Sequence, residues 1–248
     1  MTSKHELAQL IRAAVAADSN AASFREPLIG FSSAADPNYA KLQQIVGPWI
    51  ASPQFFLSGA ETVISLFIPF AVEISQENQE GAQPSHGWAK SYIDANILIE
   101  KVSQTVIQHL ASQGIIAASI PPTHTYDAET LTSAWSHRSA AYIAGLGRFG
   151  VNRMLITKKG CAGRFGSILL AVKLEPDLPS EEEYCFYYKN GSCLSCLKQC
   201  PTGALQFNRF DKFLCNERLL ENVEQFTDLG WCDVCGKCLA TPCAVLEK

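Results

Sequence analysis

The chain has 248 residues, 47% of them hydrophobic and 18% charged, with a formal net charge of −4. That suits one large domain or two small ones with a real core, and the mildly acidic balance gives no overall electrostatic footprint for nucleic acid. No apolar run is long enough to cross a bilayer and no export-type apolar region follows Met1, so a cytoplasmic protein with no membrane partner is expected.

Residues 4–17 place Leu7, Leu10, Ile11, Ala14 and Val15 on one helical face. A loop is predicted from Ser19 to about Pro37, then a short helix from Tyr39 to Val46. Ala60 to Pro69 is short, apolar and β-branched, which reads as a buried strand. Residues 75–87 read as polar and flexible. Trp88 to Gln113 carries the longest helical period, through Ile93, Ile97, Val102, Val106 and Leu110, and stops at Gly114. Ile115 to Ile120 reads as a strand ended by Pro121 and Pro122. A helix is predicted over about 130–144, followed by strands at Met154 to Thr157 and Phe165 to Leu174. The alternation predicts an α/β layer structure. Composition changes near Asp177, so residues 1–178 are expected to form one domain and 179–248 a small Cys-rich one.

Nine of the ten cysteines lie between Cys185 and Cys243. Clustered cysteines in a reducing compartment point to metal rather than disulfides. Zinc would use four thiolates per site. The Cys200-Pro201 pair closing a CxxCxxxCP run instead matches the tail of the bacterial ferredoxin signature, where the last Cys serves a second cluster. Two [4Fe-4S] clusters need eight thiolates. In a pseudo-symmetric pair, Cys193 and Cys196 start one cluster, which Cys243 and Cys185 complete. Cys200, Cys235, Cys238 and Cys215 form the other, with Cys232 spare as a small buried hydrophobe. A competing register takes Cys232, Cys235 and Cys238 as the triplet and frees Cys215. Cys161 stands apart and reads as structural, although Lys158, Lys159 and Arg164 beside it would suit a reactive thiol.

Gly145, Gly147 and Gly150 form a literal GxGxxG. A dinucleotide fingerprint needs a strand before it and a helix after it, and here the order is reversed. The glycines therefore mark a tight helix exit or a backbone on which a flat cofactor lies.

The run from Ser136 to Gly150 (SHRSAAYIAGLGRFG), then Leu155 to Thr157, then Arg164 to Ile168 (RFGSI), then the cysteine runs, resembles the epoxyqueuosine reductase family. More closely it resembles the short iron–sulfur proteins grouped with that family, and reductive dehalogenases are a related branch. The resemblance covers residues 130–243 well and the N-terminal half more loosely. It implies an α+β, nitroreductase-like, cobalamin-binding domain before a ferredoxin-like domain with two [4Fe-4S] clusters. It implies the same ligand sets: Cys185, Cys193, Cys196 and Cys243 for one cluster, and Cys200, Cys215, Cys235 and Cys238 for the other. Gly145, Leu146, Gly147, Phe149 and Gly150, with Arg164, Gly166 and Ser167, would approach the corrin. An external flavodoxin or ferredoxin would supply electrons.

Two departures shift the expected substrate away from tRNA and toward a small or nucleoside-like molecule. The family's Asp-Ser/Thr-Ala-Pro motif, which carries its proposed proton donor, is not matched between Ser119 and Asp127. The family's C-terminal helical-repeat domain is not matched either. Replacement proton donors are sought in His124, Tyr126 and Asp127, then His137 and Arg138. Two other functions stay open: an electron-transfer protein without corrin, and a flavin-dependent reductase on the same fold.

Overall fold

The computed structural model describes residues 2–123 and 125–247. Helix α1 (Lys4–Ala16) opens with a capping box, in which the Ser3 hydroxyl accepts from Glu6 N–H and the Glu6 carboxylate returns the bond to Ser3 N–H. Its buried stripe is Leu7, Ile11 and Val15, as the spacing predicts. The next elements are β1 (Leu28–Ser33), α2 (Pro37–Ile45), α3 (Pro53–Phe56), β2 (Thr62–Pro69), α4 (Val72–Glu77) and α5 (His86–Ala111). They are followed by β3 (Ala117–Ile120), β4 (Tyr126–Asp127), β5 (Thr132–Ser133), α6 (His137–Ile143), β6 (Gly147–Phe149), β7 (Leu155–Thr157) and β8 (Gly163–Leu170). The Cys-rich segment adds α7 (Phe186–Asn190), α8 (Ser195–Gln199) and α9 (Lys212–Val223).

The main sheet has the order β1-β2-β8-β3, and every pairing in it is antiparallel. The architecture is therefore mixed helix and sheet without a parallel layer. β2 is buried on both faces. Its Ile64, Leu66 and Ile68 point to the core shared with α1 and α5, whereas Val63 and Phe67 join the clusters on the α6 side. This period of two explains why the strand reads as a continuous apolar run. Gly166 in β8 faces α5, where a Cβ would press on Ile99. Its absence lets the helix lie close on the sheet.

Three expectations need correction. The predicted loop at Ser19–Pro37 contains β1, whose short apolar run ends in two serines and gives little alternation to read. The helix predicted over 130–144 begins only at His137. Before it, the Asp127 carboxylate accepts from Glu129 N–H, Thr130 N–H and the Thr130 hydroxyl, turning the chain into the β4–β5 hairpin. The stretch at 75–87 starts inside α4, and its Asn78 is fully buried, donating to Cys235 O and accepting from Ser85 N–H.

Asp177, at the expected boundary, is tied down rather than free. Its carboxylate accepts from Phe31 N–H (2.8 Å) and pairs with Lys4, while its own N–H donates to Phe31 O (2.7 Å). This covers the outer edge of β1. The Cys-rich segment beyond it shares the core of the α1–α5 layer. Cys185, Cys196, Leu205, Phe226, Cys232, Val234, Leu239 and Cys243 are buried in one cluster with Leu7, Ile64 and Trp88. Among the described residues, no helix is long and apolar enough to cross a membrane.

Candidate functional site

The thiols fall into two neighbourhoods. Burial, then the thiols of Cys243, Cys185 and Cys193, pushes the Cys196 thiol up to about 11. Burial, then Cys235 and Cys200, pushes Cys215 up to about 11. Cys238 is raised by burial and by Cys235, Cys215 and Cys200, with Cys196 of the first group next. The two groups are therefore adjacent and meet between Cys238 and Cys196. Cys232 belongs to neither. It is fully buried, its Sγ donates to Ala89 O at 3.6 Å, and the charges acting on it are Asp233 and Asp228.

Short elements set these positions. Cys185 caps α7, Cys196 sits in α8, Cys200 ends α8, and Cys215 lies in the first turn of α9. Several donors already point at sulfur. Cys200 Sγ accepts from Leu205 N–H at 3.4 Å and lies 3.7 Å from the Thr202 hydroxyl. Burial opposes its ionisation, but these donors, with the N–H groups of Thr202 and Gly203, hold the thiol below its ordinary value. Cys243 Sγ lies 3.3 Å from the Thr241 hydroxyl and 3.8 Å from Cys161 Sγ. Chiefly through the Cys161 hydrogen bond it is lowered to about 7, and Cys161 is raised in return. Cys161, read from sequence as standing apart, is thus packed against the first group. Among the described residues, no three His, Cys, Asp or Glu side chains close around a single metal ion.

Beside the thiols lies a cavity of about 580 Å³. Trp49 and Ile50 form one wall, Thr123, Tyr126, Trp135 and His137 another, and Met154, Gly163, Arg164, Phe165 and Lys212 close it. Trp135 is held in place by Tyr39 (stacked, 5.8 Å) and Phe56 (edge-on, 5.4 Å). Three cations, Arg138, Arg164 and Lys212, line the space, and among the described residues no carboxylate does. Arg164 Nε donates to Asn96 Oδ1 and its Nη2 to Pro122 O, and the guanidinium sits 4.5 Å from the Tyr92 ring centre. The Tyr92 hydroxyl donates to Asp233 (2.9 Å) and lies 3.1 Å from the Thr123 hydroxyl, which joins the cysteine loop to the cavity wall. Arg138 lines the cavity on the side of Cys238: burial and Arg164 lower its pKa while Cys238 opposes the shift.

The residues expected to meet a cofactor or substrate are dispersed. Arg164 lines the cavity and Ser167 stands just behind its wall. Gly166 faces α5 instead. The glycine loop is not among the lining residues. Gly145 leaves α6 in the left-handed region (φ 76°) against Leu178 O, Gly147 lies against Ile156 O, and Gly150 against Ile156. Leu146 packs in the core at Gly30, and Phe149 pairs with Tyr142 on the surface. These glycines serve chain packing, the tight helix exit of the two readings.

Of the candidate acids, Tyr126 lines the cavity, while Asp127 is exposed and engaged in its turn, its carboxyl held low by the Thr130 donors. His124 lies outside the described residues. His137 is neutral. Its Nε2 is 3.0 Å from Pro121 O, which can only accept, so Nδ1 accepts from the Ser167 hydroxyl (2.9 Å). That hydroxyl in turn accepts from Trp135 Nε1 at 3.1 Å. Desolvation of the ring, with Arg164 and Arg138 nearby, pushes His137 down to about 4. Trp49, Met154 and Lys212 were not legible as site residues, because their separate loops meet only in the folded chain.

No family model matches the chain. It is 28% identical over 158 residues to the epoxyqueuosine reductase of Lactococcus garvieae (strain Lg2), covering 62% of this chain and 41% of that protein. It is 25% identical over 202 residues to the epoxyqueuosine reductase of Bacillus anthracis, covering 74% and 49%. The chain thus spans less than half the length of these relatives. The epoxyqueuosine reductase structure from Streptococcus thermophilus superposes with a TM-score of 0.63 at 18% identity, over 98% of this chain and 66% of that one. One solved with an epoxyqueuosine-modified tRNA-Tyr stem loop gives 0.59 at 22% identity, over 95% and 64%. A catabolic reductive dehalogenase gives 0.51 at 15% identity, over 73% and 23%. The fold is that of the epoxyqueuosine reductases, shared in part with a reductive dehalogenase. In sequence the chain is similar to the epoxyqueuosine reductases, the resemblance read from residues 130–243.

Proposed function

We propose that the chain is a reductase that carries electrons through two [4Fe-4S] clusters to a corrinoid held in the 580 Å³ cavity. The observation that carries the reading is the sorting of eight thiols into two adjacent fours, with Cys238 of one four acting on Arg138 of the cavity wall. Cys185, Cys193, Cys196 and Cys243 would hold one cluster, and Cys200, Cys215, Cys235 and Cys238 the other. The donors already aimed at Cys200 and Cys243 suit thiolates that bear a cluster's charge. The clusters supply one-electron transfer, and a corrinoid supplies a low-potential metal for reducing the substrate.

The cavity fits such a group in its chemistry. Trp49, Trp135 and Phe165 give flat apolar surface, and Arg138, Arg164 and Lys212 offer charge to a phosphate-bearing ligand. Desolvation with Arg164 and Arg138 keeps His137 neutral, and Pro121 and Ser167 fix its ring, so it would shape the wall rather than donate the proton. Tyr126, which lines the cavity, would be the proton donor there. The substrate class is a small or nucleoside-like molecule. The solved relative with a bound tRNA stem loop keeps tRNA within the proposal. A flavodoxin- or ferredoxin-type donor completes the electron path.

The test is anaerobic purification followed by metal analysis and titration with cobalamin. About eight iron and eight sulfide per chain are expected, as two four-iron clusters require, together with saturable spectral change in the corrinoid. Zinc in place of iron overturns the cluster assignment. Saturable binding of flavin but not of cobalamin overturns the corrinoid.

A further inference from the structure

The second thiol group is approached by two cations that the reductase reading does not use. Lys237 lies inside the Cys235–Cys238 loop and is 1% exposed. Its ammonium donates to Asn78 O (2.9 Å) and Glu80 O (2.6 Å), both neutral carbonyls. Burying an ammonium without an anion is unfavourable, so a counter-charge is expected nearby. Cys235, two residues before it in the same loop, would supply that negative charge as a cluster ligand.

Arg218 arrives from α9, three residues after Cys215 and hence on the same helical face. Its Nη atoms are taken: Nη1 by Glu221 at 2.9 Å, and Nη2 by Ala82 O and Gln83. Its Nε–H is buried and has no partner among the described residues. A guanidinium with one buried, unspent donor beside a thiol group is built to meet an anionic acceptor.

We propose that Lys237 and Arg218 are the buried counter-charges of the second cluster site, that Arg218 Nε–H donates to the cluster or to a ligating sulfur, and that together they set its reduction potential. This rests on the cluster reading. A reduced cluster carries one more negative charge than an oxidised one, so a fixed cation stabilises the reduced state and raises the potential. The two residues are positioning groups outside the ligand set.

The experiment is a redox titration followed by electron paramagnetic resonance on anaerobically reconstituted full-length protein. Wild type, Arg218→Gln, Arg218→Lys, Lys237→Gln and Lys237→Arg are compared, each with its iron content measured. With iron retained, Arg218→Gln and Lys237→Gln are expected to lower the potential of one cluster and leave the other in place. Arg218→Lys and Lys237→Arg, which keep the charge, should hold it near wild type. Unchanged potentials in both neutral variants at full iron content overturn the inference and spare the cluster reading. A wild type that takes up no iron overturns the reading itself, and the inference with it. Should Lys237→Gln shed iron, Arg218→Gln decides, since its loss leaves the Lys237 anchor to the Asn78 and Glu80 carbonyls untouched.

Discussion

Ser167 shows how one hydroxyl fixes a whole wall of the cavity. It accepts from Trp135 Nε1 and donates to His137 Nδ1, so Ser167→Ala leaves a buried indole N–H without an acceptor. A loss of about 1–3 kcal/mol is expected in denaturant unfolding. Burial of the ring, with Arg164 and Arg138 nearby, decides the titration of His137. Its folded pKa, about 4, lies below the unfolded value of 6.5. The folded state therefore binds fewer protons than the unfolded one between these values. Stability present above pH 6.5 is lost as the pH falls toward 4. Ring resonances of His137 in NMR should stay those of a neutral imidazole at pH 5.5, and His137→Gln should flatten the pH dependence of unfolding over this window. Sequence reasoning placed His137 among the candidate acids because a histidine ordinarily titrates near neutrality. Its neutrality comes from desolvation in the folded chain and from Arg164 and Arg138, while Pro121 and Ser167, 16 and 30 residues away, fix the ring.

Among the elements, strongly periodic ones were legible and short ones were not. α5 and β2 could be read because their apolar spacing spans 26 and 8 residues. β1 and the β4–β5 hairpin escaped because each is decided by a partner: β2 for the first, and the Asp127 turn for the second. The glycines of 145–150 make the same point. In sequence they looked available to a cofactor, but a Cβ on Gly147 would run into the Ile156 carbonyl of the neighbouring strand. Gly147→Ala should therefore destabilise the fold by on the order of 1–3 kcal/mol through overpacking. Gly114→Ala faces open space and meets only the penalty of its positive φ, about 1–2 kcal/mol. Thermal melts of the two variants, read with iron content, separate packing from cofactor roles: a Gly147→Ala protein that is stable but loses corrinoid binding would restore the cofactor reading.

For the whole molecule, the Cys-rich segment is built into the main core rather than hung from it. Cys185, Cys196 and Cys243 are buried in the same cluster as Leu7 and Val106. Iron removal by a chelator is therefore expected to lower the melting temperature of the entire chain in one transition, seen alike by tryptophan fluorescence and far-UV circular dichroism. A low-temperature phase confined to the Cys-rich segment would argue instead for two independent domains. The ligand register is tested at this scale too. Cys232→Ser should retain all the iron, because Cys232 packs at Ala89 O away from both thiol groups. Cys238→Ser should lose about half, one of two clusters.

The sequence by itself determined the chemistry available: nine late cysteines at short spacings, an amphipathic long helix, a doubly buried strand, and a resemblance carried by residues 130–243. Spacing along the chain limits what neighbouring thiols can share, so two sets of four could be proposed from it, with Cys215 and Cys232 left as rivals for one place. Tertiary structure decided which of several equivalent residues face one another. It put Cys232 against Ala89, Cys161 against Cys243, Lys212 at the cavity and Arg218 beside Cys235. These contacts join segments that are far apart in the chain, and their energy depends on burial and on which partner remains unsatisfied. Neither quantity is carried by local pattern.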